Sequence, residues 1–166
     1  MNFRKYKKED AVEIIKWIRT EKEMYLWSAN IYNKFPIEEK DINKFYDECA
    51  KKTNFYPMTL IENEKIIGHL ILRNTDKNNE GIRLGFVIVD PNLRGKGYGK
   101  KLLNYAIQFA KEKLNAKEIT LGVFENNTNA YNCYKSVGFV EDKNKEKEIF
   151  KINNEEWKCI ELIYNE

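Results

Sequence analysis

The chain has 166 residues, of which 42% are hydrophobic and 33% charged, and this length and composition suit a single domain, 1–166, around one core. Its formal net charge of +3 is too small for a protein whose main partner is nucleic acid, and no apolar run approaches the length of a membrane span. The three cysteines show neither paired nor zinc-binding spacing, which argues against a disulfide framework or a metal site. With no apolar leader segment, we expect a cytoplasmic protein.

The N-terminal part of the chain favours a strand followed by helices. Residues 2–6 have strand character. Apolar residues then recur at helical spacing, at Ala11, Ile14, Ile15 and Ile18. Residues 21–36 are aromatic and irregular, so they are interpreted as a lid or wall, and residues 37–51 favour another helix.

The centre of the chain is predicted to contribute three strands. Residues 56–62 and 65–73 have the pattern of an antiparallel pair, and Asn63-Glu64 between them suits a tight hairpin turn. After a polar loop, residues 82–89 form an apolar, β-branched run that ends before a proline. Such a run is typical of a central strand.

The C-terminal part favours a helix between two strands and then a hairpin. Residues 99–114 keep a helical stripe, and residues 118–124 return to strand character. Together with the preceding strand they form a strand–helix–strand unit, whose strands normally pair in parallel. A short helix over residues 128–137 and a closing hairpin of residues 148–152 and 157–164 follow.

The most informative segment is the glycine-rich loop between the central strand and the helix that follows it. Gly95, Gly97 and Gly99 let backbone N–H groups turn towards a ligand, and the positive end of the helix dipole points at the same place. The basic side chains around them are those of Arg94, Lys96, Lys100 and Lys101. The glycine spacing differs from that of P-loops and dinucleotide-binding folds. The loop therefore predicts a pyrophosphate site, and the alternative is a basic surface turn.

The same loop, Arg94-Gly95-Lys96-Gly97-Tyr98-Gly99, resembles the RxxGxG/A signature of the GNAT family of N-acetyltransferases. A second pattern of that family is matched at Asn127, Ala130, Tyr134 and Gly138-Phe139. The resemblance covers nearly the whole chain and is weakest over residues 21–36. It implies an α/β (α+β) fold, the acyl-CoA N-acyltransferase fold, with a central mixed, mostly antiparallel sheet, splayed central parallel strands and helices on both faces.

The resemblance also implies a site for acetyl-CoA as cosubstrate, without a metal. The pantetheine arm would lie between the splayed strands, against the backbone of Val87 and Val89. An N–H near Phe86 or Val87 would stabilise the oxyanion that forms when an amine attacks the thioester. The residues that the resemblance assigns to the coenzyme are Val87, Val89, Arg94, Gly95, Lys96, Gly97, Tyr98, Gly99, Lys100, Asn127, Ala130 and Tyr134.

Tyr134 is the candidate catalytic residue, because it matches the family tyrosine that gives a proton to the departing CoA thiolate. The reference pKa of tyrosine, about 10, is close enough to that of a thiol, about 8.5, for this transfer. Tyr134 also lies in an apolar stripe with Ala130 and Val137, so a core position is the alternative. The neighbouring Cys133 is interpreted as a packing residue, since transfer in this family goes directly to the amine.

The acceptor side is less defined by the sequence. We expect a primary amine of a small molecule or of a protein N-terminus, and the resemblance leaves a homodimer open. No acidic residue lies at residues 83–85 or 121–123, where the resemblance places a base for the amine, and Glu80 and Glu125 only flank the two strands. His69 either faces the acceptor cavity or is a satisfied or solvent-facing histidine, and the second reading is favoured. Tyr25, Trp27 and Tyr32 could form an aromatic wall for a cationic acceptor, and the alternative is that they pack over the core.

Two other functions stay open at this point. A catalytically silent CoA-binding sensor or regulatory module is supported only by the missing strand glutamate. A nucleic-acid-binding domain is supported only by the lysine content, and the low net charge counts against it. Turnover of acetyl-CoA with an amine separates the silent module from an enzyme.

Overall fold

Eight strands form one sheet in the computed structural model, which describes residues 1–165. The strands are β1 (Asn2–Lys5), β2 (Phe55–Glu62), β3 (Lys65–Asn74), β4 (Gly81–Val89), β5 (Glu118–Phe124), β6 (Phe139–Glu141), β7 (Glu148–Ile152) and β8 (Glu155–Tyr164). Their order is β1-β2-β3-β4-β5-β8-β6, and β7 pairs with the first half of β8. Among residues 1–165, only β4 and β5 pair in parallel, which confirms the mixed, mostly antiparallel sheet.

Helices cover both faces of this sheet, as the family resemblance implies. They are α1 (Ala11–Ile14), with 3-10 turns at both ends, α2 (Glu21–Ser28), α3 (Glu39–Lys52), α4 (Tyr98–Leu114) and α5 (Thr128–Lys135). Successive side chains of a strand point to opposite faces. Leu70 accordingly packs in the cluster under α4 and α5, and Ile71 packs in the cluster under α1, α2 and α3. Within residues 1–165, no helix has the length and apolar character needed to cross a membrane.

Helix α2 corrects the expectation that residues 21–36 are irregular throughout. The helix begins with a capping box, in which Thr20 Oγ1 accepts a hydrogen bond from the Glu23 N–H at 3.1 Å. The Glu23 carboxylate in turn accepts from the Thr20 N–H at 3.2 Å. The Thr-x-x-Glu spacing carries this signal in the sequence, but the aromatic residues around it obscure the helical period. Only residues 29–38 form an irregular link to α3.

The two predicted hairpins are confirmed, and the backbone conformation of each turn accounts for the residue types found there. Asn63, Glu64, Asn153 and Asn154 all have φ values between 48° and 64°, which suits two-residue turns of type I′. Strand β6 was not predicted, because three residues are too few for a period to show. Helix α5 ends at residue 135, two residues before the predicted end.

The central strands β4 and β5 diverge, and we call the opening between them the fork. They pair only where residues 81–84 lie beside residues 118–121. Beyond this point β4 stays on β3 and β5 stays on β8, so residues 85–89 and 122–124 separate. The splayed parallel strands implied by the family resemblance are thus confirmed. The facing edges in the fork leave backbone groups without a strand partner.

Candidate active site

A backbone bulge in β4 lies next to the fork. The register of β3 and β4 shifts between His69 and Ile71, so that one residue of β3 faces two residues of β4, Phe86 and Val87. Phe86 has a φ of 51°, a left-handed value that a bulky residue keeps only when its surroundings hold it there. Strand β4 therefore has a bulge at Phe86 and Val87, where it leaves β5.

Backbone alternation turns the main chain of Val87 and Val89 towards the fork. The Asp90 N–H donates to the Ile67 carbonyl of β3 at 3.1 Å, so Asp90 presents its backbone to β3. Successive residues of an antiparallel ladder present their backbone groups to opposite sides. Val89, and Val87 two residues earlier, therefore present N–H and C=O groups to the side of β5. In the described chain β5 has already separated from β4 at this level, so an arm with amide groups could bind there.

The glycine-rich loop forms an open cradle at the N-terminus of α4. Gly95 and Gly97 have φ values of 76° and 83°, and, apart from the glycine and its two chain neighbours, no heavy atom of residues 1–165 lies within 4 Å of either Cβ position. A side chain at either position would therefore occupy the space in front of the loop. Gly97 is the N-cap of α4, so the first N–H groups of that helix have no acceptor within it. Main-chain donors, the helix dipole and free space together suit a phosphate group.

The side chains of the loop give this cradle a positive surface, although some of them have partners. Lys96 Nζ donates to a backbone carbonyl of the same loop at 3.2 Å, and the Tyr98 hydroxyl donates to Glu62 at 2.5 Å. Arg94 is half exposed and lies 3.6 Å from the Glu23 carboxylate. Tyr98 can therefore contribute to the cradle only through its backbone. Lys100 is exposed on the first turn of α4.

Gly99 differs from the other two glycines, because its Cβ position faces protein. That position lies 3.0 Å from the Sγ of Cys133 on α5, which is closer than an ordinary contact. Gly99 therefore allows α4 and α5 to approach each other. Cys133 is half buried, and burial raises the pKa of its thiol. These contacts agree with the interpretation of Cys133 as a packing residue.

Asn127 and Ala130 lie at the start of α5. The carboxamide oxygen of Asn127 accepts a hydrogen bond from the Ala130 N–H at 3.4 Å and so caps the helix. Ala130 is partly buried against the core cluster under α4. Both residues thus have a structural role in the described chain, and any contact with a coenzyme would add to it.

Tyr134 is buried on α5, with 8% of its surface exposed. Its ring lies edge-on to that of Phe139, with centroids 6.4 Å apart. Burial raises the pKa of Tyr134 above its ordinary value, and the thiols of Cys133 and Cys159 add smaller contributions. Its hydroxyl forms no hydrogen bond with residues 1–165. Tyr134 therefore keeps its proton at neutral pH and has a hydroxyl that a ligand can use.

The face of the fork opposite α4 carries α2 and the β7–β8 hairpin, and we call it the acceptor side. Tyr25 and Trp157 meet there edge-on, with centroids 6.4 Å apart, next to Phe124 of β5. The Asn153 side chain joins the two elements, because it accepts from the Tyr25 hydroxyl at 3.3 Å and donates to Glu21 at 2.9 Å. Tyr25 thus belongs to a rim above the fork.

Trp27 and Tyr32 lie deeper than Tyr25. They are 8% and 7% exposed, and their rings stack with centroids 6.1 Å apart. Trp27 also contacts the Phe86 ring at 5.0 Å, and its Nε1–H donates to the Phe86 carbonyl at 2.8 Å. These two rings therefore pack over the core, which was the alternative to an acceptor wall.

His69 is fully buried and does not face solvent. The Tyr46 hydroxyl lies 2.7 Å from its Nε2, and its Nδ1 has no hydrogen-bond partner among residues 1–165. Burial lowers the pKa of His69 to about 3, which the Asp10 carboxylate and the Met58 carbonyl oppose only in part. His69 is therefore a neutral core residue. It is not solvent-facing, and it is hydrogen-bonded through only one of its two ring nitrogens.

A carboxylate that the sequence analysis missed reaches the fork from β8. Glu161 lies beside Gly122 of β5 and forms an ion pair with Arg83 of β4 across that glycine. The Cβ position of Gly122 lies 2.6 Å from an Arg83 nitrogen, so a larger residue there would displace the pair. By contrast, Glu80 and Glu125 pair with surface lysines. Glu161 was missed because its strand is distant in sequence, and only the pairing of β8 with β5 brings it here.

No metal site is evident in the part of the chain that the structure describes, since no three His, Cys, Asp or Glu side chains cluster there. The site consists instead of a phosphate cradle, a fork with a bulge, a buried tyrosine and one paired carboxylate. It suits acyl transfer from a coenzyme that carries a diphosphate and an amide-containing arm.

Comparisons with known proteins identify the family and the fold of the chain. The Acetyltransferase (GNAT) family profile matches residues 12–139. The spermine/spermidine N(1)-acetyltransferase of Bacillus subtilis (strain 168) is 33% identical over 98 residues. The match covers 55% of this chain and 64% of that protein, so the chain spans less than two thirds of the relative's length. The crystal structure of spermidine N-acetyltransferase from Vibrio cholerae in complex with CoA and spermine has a TM-score of 0.79 and 19% identity, covering 98% of this chain and 93% of that one. Because the family profile spans most of its length, the chain belongs to the GNAT family of acetyltransferases.

Proposed function

We propose that the protein transfers the acetyl group of acetyl-CoA to a primary amine of a small molecule. The observation that carries this proposal is the position of the fork, because its bulged edge at Phe86 leads directly into the phosphate cradle at Gly95 and Gly97. A coenzyme with its diphosphate in the cradle can extend its arm along β4 and bring a thioester to the bulge. The family membership of the chain supports the same chemistry.

In the proposed complex, coenzyme binding uses mainly the main chain. The N–H groups of the loop and of the first turn of α4 bind the diphosphate, and the charges of Arg94, Lys96 and Lys100 attract it. The backbone of Val87 and Val89 binds the amides of the pantetheine arm. Asn127 and Ala130, at the start of α5, lie against the other side of that arm.

The proposed reaction is a direct attack by the amine on the thioester. The amine approaches from the acceptor side, because α4 and the coenzyme occupy the opposite face. Tyr134, which burial keeps protonated, gives its proton to the departing thiolate. Glu161 binds the acceptor cation with the carboxylate oxygen that Arg83 leaves free. A carboxylate at the fork removes the only support for a catalytically silent CoA-binding module.

Polyamines are the acceptor class that we propose to test first. The Bacillus subtilis relative is named for spermine and spermidine, and the rim of the acceptor side carries carboxylates that suit a second positive charge. Glu21 is one of them, and Glu155, which accepts from the Trp157 indole at 3.0 Å, is another. We place the reaction in the cytoplasm, without nucleic acid or membrane as a partner.

The test is the release of CoA thiol from acetyl-CoA with a panel of amines that includes polyamines, aminoglycosides and peptides with free N-termini. We expect turnover with at least one small amine and none with an N-acetylated control of the same amine. Tight coenzyme binding without turnover across the panel would contradict the proposal and favour a silent CoA-binding module.

A further inference from the structure

An indole hydrogen bond reaches the bulge of β4 from a helix that lies far away in sequence. Trp27 of α2 donates its Nε1–H to the Phe86 carbonyl at 2.8 Å. Regular strand residues give their carbonyls to a neighbouring strand, whereas this carbonyl is bound by a side chain. The carbonyl is that of Phe86, the bulge residue whose φ is 51°.

The direction of this carbonyl fixes the direction of the next N–H. In a trans peptide the C=O of one residue and the N–H of the following residue point in opposite directions. In the described chain only the Phe35-Pro36 bond is cis, so the bond between Phe86 and Val87 is trans. Because the carbonyl points to α2 on the acceptor side, the Val87 N–H points away from α2. That side of β4 is the one on which the coenzyme arm is proposed to lie.

The indole is itself held in place by rings. Trp27 stacks on Tyr32 with an interplanar angle of 10°, and Phe86 lies between Trp27 at 5.0 Å and Phe45 at 5.7 Å. The capping box at Thr20 fixes the start of the helix that carries it. The donor is thus pre-positioned, so the peptide does not have to reorient during a reaction.

We propose that Trp27 is a positioning residue, which aims the Val87 N–H at the thioester carbonyl oxygen by holding the Phe86 carbonyl. The inference rests on the proposed acetyl transfer. When the neutral amine nitrogen bonds to the thioester carbon, the carbonyl electron pair moves to oxygen, and the resulting oxyanion accepts the Val87 N–H. The carbonyl then reforms and the C–S bond breaks, with its electron pair going to sulfur. The sulfur takes the Tyr134 proton, the amine proton passes to water, and solvent restores the Tyr134 proton.

The sharpest test replaces Trp27 by 3-benzothienylalanine, in which sulfur stands in place of the indole N–H and the shape is kept. We expect kcat to fall about 10- to 100-fold, as for a misaligned oxyanion donor. The KM of the amine and the Kd of CoA should change less than threefold. The matched control is the same replacement at Trp17, which is buried at 3% in the same cluster and donates no hydrogen bond to β4. An unchanged kcat in the Trp27 variant would overturn the proposal, and so would an equal loss in both variants.

A second measurement does not need turnover. Acetyl-CoA has the carbonyl that the Val87 N–H would bind, and S-ethyl-CoA lacks it. In the wild type we expect the amide proton of Val87 to move downfield with acetyl-CoA but not with S-ethyl-CoA, and in the Trp27 variant this difference should disappear. If no amine is acetylated but the difference is seen in the wild type and lost in the Trp27 variant, the proposed function fails while the role of Trp27 stands. If the difference persists in the Trp27 variant, the role of Trp27 fails. If the shift is the same with both ligands, the role of Trp27 fails whether or not the enzyme turns over.

Discussion

The two sides of the fork are built from different kinds of structure. On the coenzyme side, most of the groups proposed to bind the coenzyme are main-chain groups within one stretch of sequence, residues 87–100, and the others belong to α5. On the acceptor side they are side chains from separate segments, with Tyr25 on α2, Arg83 on β4 and Glu161 on β8. The coenzyme side is therefore a local, backbone property, and the acceptor side depends on long-range packing. Substitutions that block main-chain groups should affect the first side, and side-chain exchanges should affect the second.

The largest effect is expected for Gly97→Val. The new side chain would fill the cradle and disturb the N–H groups there, and each hydrogen bond to a charged phosphate contributes about 1.5–3 kcal/mol. Losing two of them should lower CoA affinity about 100- to 10,000-fold in calorimetric titration. The control is Asn115→Val at the other end of α4, where φ is also positive, at 52°. Equal CoA affinity in the two variants would contradict a cradle at Gly97.

Tyr134→Phe should lower kcat about 100-fold, as expected for loss of a general acid. CoA affinity and the melting temperature should change little, because the hydroxyl forms no hydrogen bond within the described residues. Since burial raises the pKa of Tyr134, its ionisation should not reduce the wild-type rate below about pH 10. A full rate in the variant would mean that Tyr134 is only a core residue.

His69 tests whether a buried residue near the acceptor side acts in catalysis or only in stability. Its pKa is lowered to about 3 in the folded state, below the ordinary value of 6.5, so the unfolded chain takes up the proton first as the pH falls. The contribution of neutral His69 to the free energy of unfolding is complete above about pH 6.5 and declines from there towards pH 3. Between pH 7 and 5 the free energy of unfolding should fall by about 2 kcal/mol through this group alone.

Urea unfolding of His69→Gln at the same two pH values provides the comparison. The variant should lose less stability on acidification than the wild type, and its kcat at pH 7 should stay within about threefold, because a neutral buried ring is no base for the amine. The same loss of stability in both proteins would contradict the buried, neutral histidine.

The smallest effect is expected for Glu161→Gln. Removing the negative charge while keeping the shape should raise the KM of a cationic amine about 10-fold, in line with one charge-assisted contact. The Kd of CoA should not change. The control is Glu80→Gln, a surface carboxylate paired with Lys117. A parallel change in coenzyme affinity would show that Glu161 supports the sheet and does not bind the acceptor.

Much of the fold could be predicted from the sequence, because the patterns that indicate its strands, turns and helices lie within short segments. The asparagine turns define the hairpins, β4 reads as a continuous apolar run, and the glycines before α4 mark a cradle. Helix α2 was missed because its capping box was hidden by aromatic residues, and β6 because it is too short for a period. The position of Glu161 beside the fork could not be predicted from nearby residues, because it depends on which strand β8 pairs with.

The sequence alone determined the phosphate cradle, because a loop of glycines followed directly by a helix positions its own N–H groups locally. Only the tertiary structure decided the acceptor side. The bulge at Phe86 keeps its left-handed φ through the indole of Trp27 and the rings around it, and Glu161 meets Arg83 only across Gly122. Such contacts join residues far apart in the chain, and side-chain spacing along a strand or helix does not encode them.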